Sequence, residues 1–156
     1  MWPETAEKVR LELAQLRRLI EYYQTLLGKV RVTEPDMIEL SALSSFLHSF
    51  YTGIESIFKR IASDVDGNLP SGDHWHSGLI SAMSQPTLKR HAVISEDLCG
   101  RIIKYMGFRH VFRHAYDFEL KWRKMSDLVL KSEQVLDHLE VELKAFFEPE
   151  IGDRLP

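Results

Sequence analysis

The chain has 156 residues, of which 44% are hydrophobic and 28% charged, with a formal net charge of −3. These values are typical of a soluble globular protein, and the length predicts one domain over residues 1–156. Short apolar runs exclude a membrane span, the charged N-terminus excludes a secretory signal, and the single Cys99 excludes an internal disulfide. We therefore expect a cytoplasmic protein.

The spacing of apolar residues predicts an all-α fold, a four- to five-helix up-down bundle. The first helix is expected to begin at about Pro3, to carry apolar residues at spacings of three and four, and to end near Gly28. A second long helix is predicted over about 36–63. The short link between these two helices predicts an antiparallel hairpin.

The second half of the chain predicts three further helices. A turn-rich loop at 64–73 precedes a short helix over about 74–84. Ser95, followed by two acidic residues, is typical of a helix N-cap. Gly107 is expected to interrupt or end the helix that starts there, and a last long helix is predicted over roughly 112–147.

One segment of this acidic chain is basic. Between Thr87 and Lys124, nine Lys or Arg residues stand against four acidic residues, a net charge of +5, which leaves −8 for the remainder. Such a segment indicates a local binding site for a polyanion. The alternative is a solvated helix face without a ligand.

The stretch GFRHVFRHAY is the densest part of this segment. It holds two arginines and two histidines among aromatic residues: Arg109, His110, Arg113 and His114. Arginine donates two parallel hydrogen bonds to phosphate oxygens, and histidine exchanges protons near neutral pH. If the last helix begins near Val111, Arg109 lies in the preceding loop, and the helix N-terminus adds N–H groups for an anion.

The segment from Arg109 to Tyr116 resembles the R-x4-H-x-Y motif of HEPN-domain ribonuclease toxins of the HepT type. The similarity extends to YTGIESIFKRIA at 51–62 and to the LP-x-G-x-x-WH stretch at 69–76. It therefore covers most of the chain, from the second helix to the start of the last.

The resemblance implies a helical bundle that forms a homodimer, with two motifs in a shared cleft, and cleavage of RNA to a 2′,3′-cyclic phosphate without a metal. By motif position, Arg109 would bind the scissile phosphate and His114 would act as general acid or base. It also implies an antitoxin, a nucleotidyltransferase of the MntA type, that attaches AMP to Tyr116. AMP adds bulk and negative charge where an anionic RNA must bind.

Four further residues are predicted to bind RNA or support the site: His110, Arg113, Glu55 and His76. Glu55 lies on an otherwise apolar helix face, so it is either a partner for a cation such as Arg109 or a surface residue that pairs with Lys59 at i+4. His76 and its neighbour Trp75 are expected to form a packing and capping unit near the cleft.

Several alternatives need no catalysis. His114 would only hydrogen-bond locally, Tyr116 would pack in the core, and Arg113 would pair with Asp117 at i+4. His110 and His114 have the spacing of a zinc helix, and His74, His76 or Asp73 could be recruited as the third ligand, but no cysteine or HExxH pattern supports such a site. We therefore expect no metal and no other cofactor.

A non-catalytic binding module is the alternative function. In that interpretation the bundle is a nucleotide- or substrate-binding partner of a minimal nucleotidyltransferase, and Arg109 and His114 only hold a phosphate. The favoured interpretation is an RNA endonuclease toxin that the antitoxin neutralises.

Overall fold

The computed structural model describes residues 2–112 and 116–148, and only the backbone of Asp117. These residues form seven α-helical segments: α1 (Pro3–Tyr22), α2 (Gln24–Lys29), α3 (Met37–Ile61), α4 (Trp75–Met83), α5 (Glu96–Phe112), α6 (Trp122–Leu130) and α7 (Ser132–Phe147). Because α1 and α2 meet at Tyr23, and α6 and α7 meet at Lys131, the segments make five helical arms. In chain order these are α1–α2, α3, α4, α5 and α6–α7. The predicted all-helical bundle is confirmed. None of these helices is apolar over enough length to cross a membrane.

The central helix is α3, which packs against α1, α4, α5 and α6. It begins with a capping box: the Glu39 N–H donates to Asp36 at 2.8 Å, and the Asp36 N–H donates to the Glu39 carboxylate at 3.0 Å. Phe46, Phe50 and Ile57 are buried along its length. A helix enclosed by neighbours on several sides is apolar on more than one face, and α3 follows this rule.

Gly53 allows α1 to approach α3 closely. A Cβ atom at this position would lie 2.5 Å from Cδ2 of Leu16 on α1. Leu16 is itself buried against α3. A larger residue at position 53 would therefore require the Leu16 side chain to shift.

The predicted end of the fourth arm is wrong. Helix α5 continues through Gly107 to Phe112. One glycine inside a helix costs only about 1 kcal/mol, and the burial of Tyr105 and Phe108 on either side of it offsets this cost. The first arm ends at Lys29, one residue after Gly28, as predicted, although it also breaks earlier, at Tyr23.

The last arm begins ten residues later than the sequence predicted. A 3₁₀ turn covers Asp117–Glu119, and Lys121 has an extended backbone, so α6 begins only at Trp122. Arg109 therefore lies in the last turn of α5 and not in a loop before a new helix. The predicted anion site at a helix N-terminus near Val111 is wrong. The negative end of the α5 dipole is what faces Arg109, and it favours a cation there.

Arg90 is part of the core and not of a basic surface. Its side chain is 1% exposed, and its Nε and Nη2 donate to the two Asp66 carboxylate oxygens at 2.6 and 2.9 Å. The remaining donors reach the backbone carbonyls of Gln85, His91 and Ala82. All five guanidinium N–H groups are thus used. The net charge of the basic segment therefore overstates the cations available to a polyanion.

Candidate functional site

Arg109 packs on Tyr51 of α3. Its guanidinium carbon lies 5.8 Å from the centroid of the Tyr51 ring, within the range of a cation–π contact. Among the described residues no hydrogen bond or ion pair reaches Arg109, and its Nε is buried without a partner. Buried polar atoms are nearly always paired, so Arg109 can bind an acceptor that the described residues do not provide.

The Tyr51 hydroxyl is buried beside the Glu55 carboxylate. Tyr51 is fully buried, and in the described part of the chain its hydroxyl has no partner in standard hydrogen-bond geometry, although it interacts with Glu55. Burial raises the pKa of Tyr51, the neighbouring Glu55 carboxylate raises it further, and the charge of Arg109 opposes both. The hydroxyl therefore stays protonated and remains a donor.

Glu55 lies one helical turn after Tyr51 and is also buried. Its Oε2 is 2.6 Å from Nδ1 of His76, and its Oε1 is 3.6 Å from Nζ of Lys59. The alternative in which Glu55 is a surface residue is wrong, although its predicted i+4 contact with Lys59 is present. The predicted alternative, a direct ion pair with Arg109, is absent among the described residues because Arg109 lies one turn away, on the Tyr51 ring.

Glu55 is ionised at neutral pH. Burial acts to raise the pKa of this carboxyl, but interactions with Tyr51 and His76 and the charge of Lys59 outweigh burial and hold the pKa below its usual value. A carboxylate only accepts hydrogen bonds, so the nitrogen facing it, Nδ1 of His76, carries a proton. The other ring nitrogen, Nε2, is left to exchange a proton with a ligand.

His76 is held on its other side by aromatic packing. Its ring centroid lies 3.6 Å from that of Trp75, and Lys59 Nζ lies 4.8 Å from the Trp75 ring centroid. The predicted packing of Trp75 with His76 is confirmed, while the N-cap of α4 is His74. The His76 side chain remains 26% exposed, so its ring is accessible from the surface.

Tyr116 is 69% exposed and does not pack in the core. Its ring stacks on that of Phe118, with centroids 5.3 Å apart and planes 6° from parallel. The alternative of core packing is therefore wrong. A macromolecule can reach this side chain from solution.

Of the three remaining residues of the motif segment, the structure describes His110 but not Arg113 or His114. His110 is exposed in the last turn of α5. Arg113 and His114 lie outside the described residues, so their roles remain predictions. Within 2–112 and 116–148, no three His, Cys, Asp or Glu side chains are grouped to hold a metal ion.

A cavity of about 1050 Å³ lies elsewhere on the protein, between the 86–95 segment, Trp2 and α7. Neither Arg109 nor the Glu55–His76 pair lines it. The candidate site therefore lies apart from this cavity, along the face of α3 that meets α4 and α5.

The family of the chain is shown by comparison with known families. A family model described as HepT-like protein matches residues 42–149, more than half of the chain. The chain belongs to the HepT-like family. No curated protein and no solved structure matches it. In this HepT-like protein the matched range includes α4, α5 and the part of α3 that carries Tyr51 and Glu55.

Sequence reasoning missed the contribution of Tyr51. The signal was present as the spacing of Tyr51, Glu55 and Lys59, which are four residues apart and share one face of α3. A tyrosine on a buried helix face is usually core, and only the position of Arg109 on its ring distinguishes it. The link from Glu55 to His76 spans 21 residues, and no local spacing predicts it.

Proposed function

We propose that this HepT-like protein is the toxin of a toxin–antitoxin system and acts as a metal-independent RNA endonuclease. The observation that carries the proposal is Arg109, which lies within an R-x4-H-x-Y motif and on the Tyr51 ring, with no anionic partner in the described part of the chain. A partly buried cation that the described residues leave without an anionic partner suits the binding of a phosphate from a substrate. Membership of the HepT-like family supports the same activity.

In the proposed reaction, Arg109 binds the non-bridging oxygens of the scissile phosphate and stabilises the charge that develops on them. His114 acts as general acid or base on the ribose 2′-hydroxyl or on the leaving oxygen. The 2′-oxygen attacks phosphorus, and the bond from phosphorus to the 5′-oxygen breaks. The products are a 2′,3′-cyclic phosphate and a 5′-hydroxyl.

The proposed active form is a homodimer in which two motifs share a cleft, and the proposed regulator is a nucleotidyltransferase antitoxin of the MntA type. The antitoxin attaches AMP to Tyr116. The 69% exposure of Tyr116 supports this role, because the modifying enzyme must reach the hydroxyl. A phosphate-bearing group two residues after His114 would repel RNA and obstruct the cleft.

The proposal is tested by incubating the purified protein with total RNA in EDTA, beside a His114→Ala variant. We expect cleavage by the parent, fragments with cyclic phosphate ends, and no cleavage by the variant. Intact RNA from protein that is folded, unmodified and dimeric would overturn the nuclease. The same protein binding nucleotide would then identify it as a non-catalytic partner of a nucleotidyltransferase.

Tyr116→Phe is expected to abolish AMP addition and leave RNA cleavage largely intact. The substitution removes the acceptor oxygen and keeps the ring that stacks on Phe118. The measurement is intact-protein and peptide mass spectrometry after incubation with ATP and an MntA-type nucleotidyltransferase. Tyr22→Phe is the matched control, since Tyr22 is also exposed but lies at the end of α1. AMP found on the Tyr116→Phe variant at the parent's level would remove Tyr116 from this role.

A further inference from the structure

The Glu55–His76 pair adds a second group that can exchange a proton. Its Glu55 lies on the face of α3 that Arg109 also contacts. Cleavage through the 2′-oxygen needs two proton transfers, one from the 2′-hydroxyl and one to the departing 5′-oxygen. In the motif, His114 supplies one of them. A ring nitrogen of His76 is left available for the other.

His76 and Arg109 contact neighbouring turns of α3. Tyr51 and Glu55 are one turn apart on the same face of α3, a rise of about 6 Å. Arg109 lies on the Tyr51 ring, and His76 contacts the Glu55 carboxylate. Arg109 and His76 therefore contact α3 at positions one helical turn apart, and we expect one bound nucleotide to meet both.

Glu55 is the charged group that contacts His76, and Glu55 in turn interacts with Lys59 and Tyr51, while Arg109 from α5 acts on Tyr51. Among these, only Glu55 contacts the ring through a hydrogen bond. The Glu55 carboxylate at 2.6 Å from Nδ1 orients the ring and accepts a hydrogen bond from the Nδ1 proton, so Nε2 is the nitrogen left to meet a ligand. The pair therefore offers Nε2 as an acceptor for a proton from the substrate.

We propose that His76 is the general base of the ribonuclease reaction and that Glu55 positions its ring. This inference rests on the proposed function. Nε2 of His76 removes the proton from the 2′-hydroxyl, the 2′-oxygen bonds to phosphorus, and the bond to the 5′-oxygen breaks. His114 protonates the departing 5′-oxygen, so charge and atoms balance without a metal or another co-reactant.

The first test measures RNA cleavage by the full chain in EDTA at saturating RNA over a pH series. His76→Ala and His76→Gln are expected to cleave about 100-fold more slowly than the parent and to lose one limb of the pH–rate profile. Glu55→Gln should slow cleavage and displace the same limb, because it removes the charge that faces the ring. His74→Ala is the matched control, since His74 is exposed at the start of α4 and should leave the rate unchanged.

The second test separates base from acid with an RNA whose 5′-bridging oxygen is replaced by sulfur. Thiolate departs without a proton, so this substrate needs a base but no acid. We expect it to restore cleavage by His114→Ala and not by His76→Ala. Restored cleavage by His76→Ala would overturn the assignment of His76 as the base.

The outcomes also separate this inference from the proposed function. If the parent cleaves RNA and both folded His76 variants match it in rate and pH profile, the inference fails while the nuclease stands. A loss confined to RNA affinity, with the saturating rate unchanged, also overturns it. If the parent itself leaves RNA intact, the proposed function fails and the inference fails with it. Helical circular dichroism and thermal unfolding establish that each variant is folded, and His76→Gln keeps a polar group beside Glu55.

Discussion

An Arg109→Ala variant is expected to lose RNA cleavage by at least about 1000-fold, because the charge that develops on the scissile phosphate loses the cation that stabilises it. Its folding should change little. In the described residues Arg109 makes no hydrogen bond or ion pair, and its buried Nε is unsatisfied. Removing an unsatisfied donor offsets the loss of the contact with Tyr51, so the free energy of unfolding should move by no more than about 1 kcal/mol.

The measurement pairs single-turnover cleavage in EDTA with thermal unfolding of the same preparations. Arg101→Ala is the matched control, since Arg101 is exposed on α5 and forms an ion pair with Asp97 at 3.8 Å. Arg109→Lys should recover only part of the activity, because lysine keeps the charge and loses the planar fork. Full activity in a folded Arg109→Ala variant would show that Arg109 does not act on the phosphate. Growth arrest on expression in cells should follow the same order.

Asp66→Ala is expected to lower the free energy of unfolding by about 3–5 kcal/mol, because it leaves the buried charge of Arg90 without its counter-ion. The two side chains are 16% and 1% exposed, and two hydrogen bonds join them. The backbone carbonyls of Gln85, His91 and Ala82 would still accept from Arg90 but carry no net charge. Thermal unfolding followed by circular dichroism should show a midpoint lower by roughly 10 °C.

The control is an ion pair on the surface. Glu140→Ala breaks the contact of Arg17 with Glu140 on α7, where the carboxylate is about half exposed. Exposed pairs contribute at most about 1 kcal/mol, so this variant should unfold close to the parent. An Asp66→Ala variant as stable as Glu140→Ala would contradict the structural role of the Arg90–Asp66 pair. Replacing both partners, with Arg90→Met beside Asp66→Ala, should restore part of the loss by removing the buried charge itself.

Local patterns predicted most of the helical framework. The α3 helix begins one residue after Asp36, where the capping box lies, and α4 covers all but the ends of its predicted range. Ser95 accepts from the Leu98 N–H at 3.1 Å, as expected of an N-cap. These signals are reliable because each depends on residues within one turn of each other.

The prediction that Gly107 interrupts or ends its helix was wrong. Gly107 lies inside α5. The penalty for a helical glycine is about 1 kcal/mol, which the burial of neighbours such as Phe108 exceeds. Since that burial comes from other helices, the sequence around Gly107 could not reveal it. The misplaced helix start then produced the incorrect anion site near Val111.

By itself, the sequence determined the all-helical class, the HepT-like family and the motif from Arg109 to Tyr116, because periodicity and motif spacing are properties of neighbouring residues. Only the tertiary structure decided that Arg109 lies on Tyr51 and that Glu55 holds His76. The physical reason is that both contacts join separate helices, and their energies come from burial against α3. No pattern along the chain records which side chains such packing brings together.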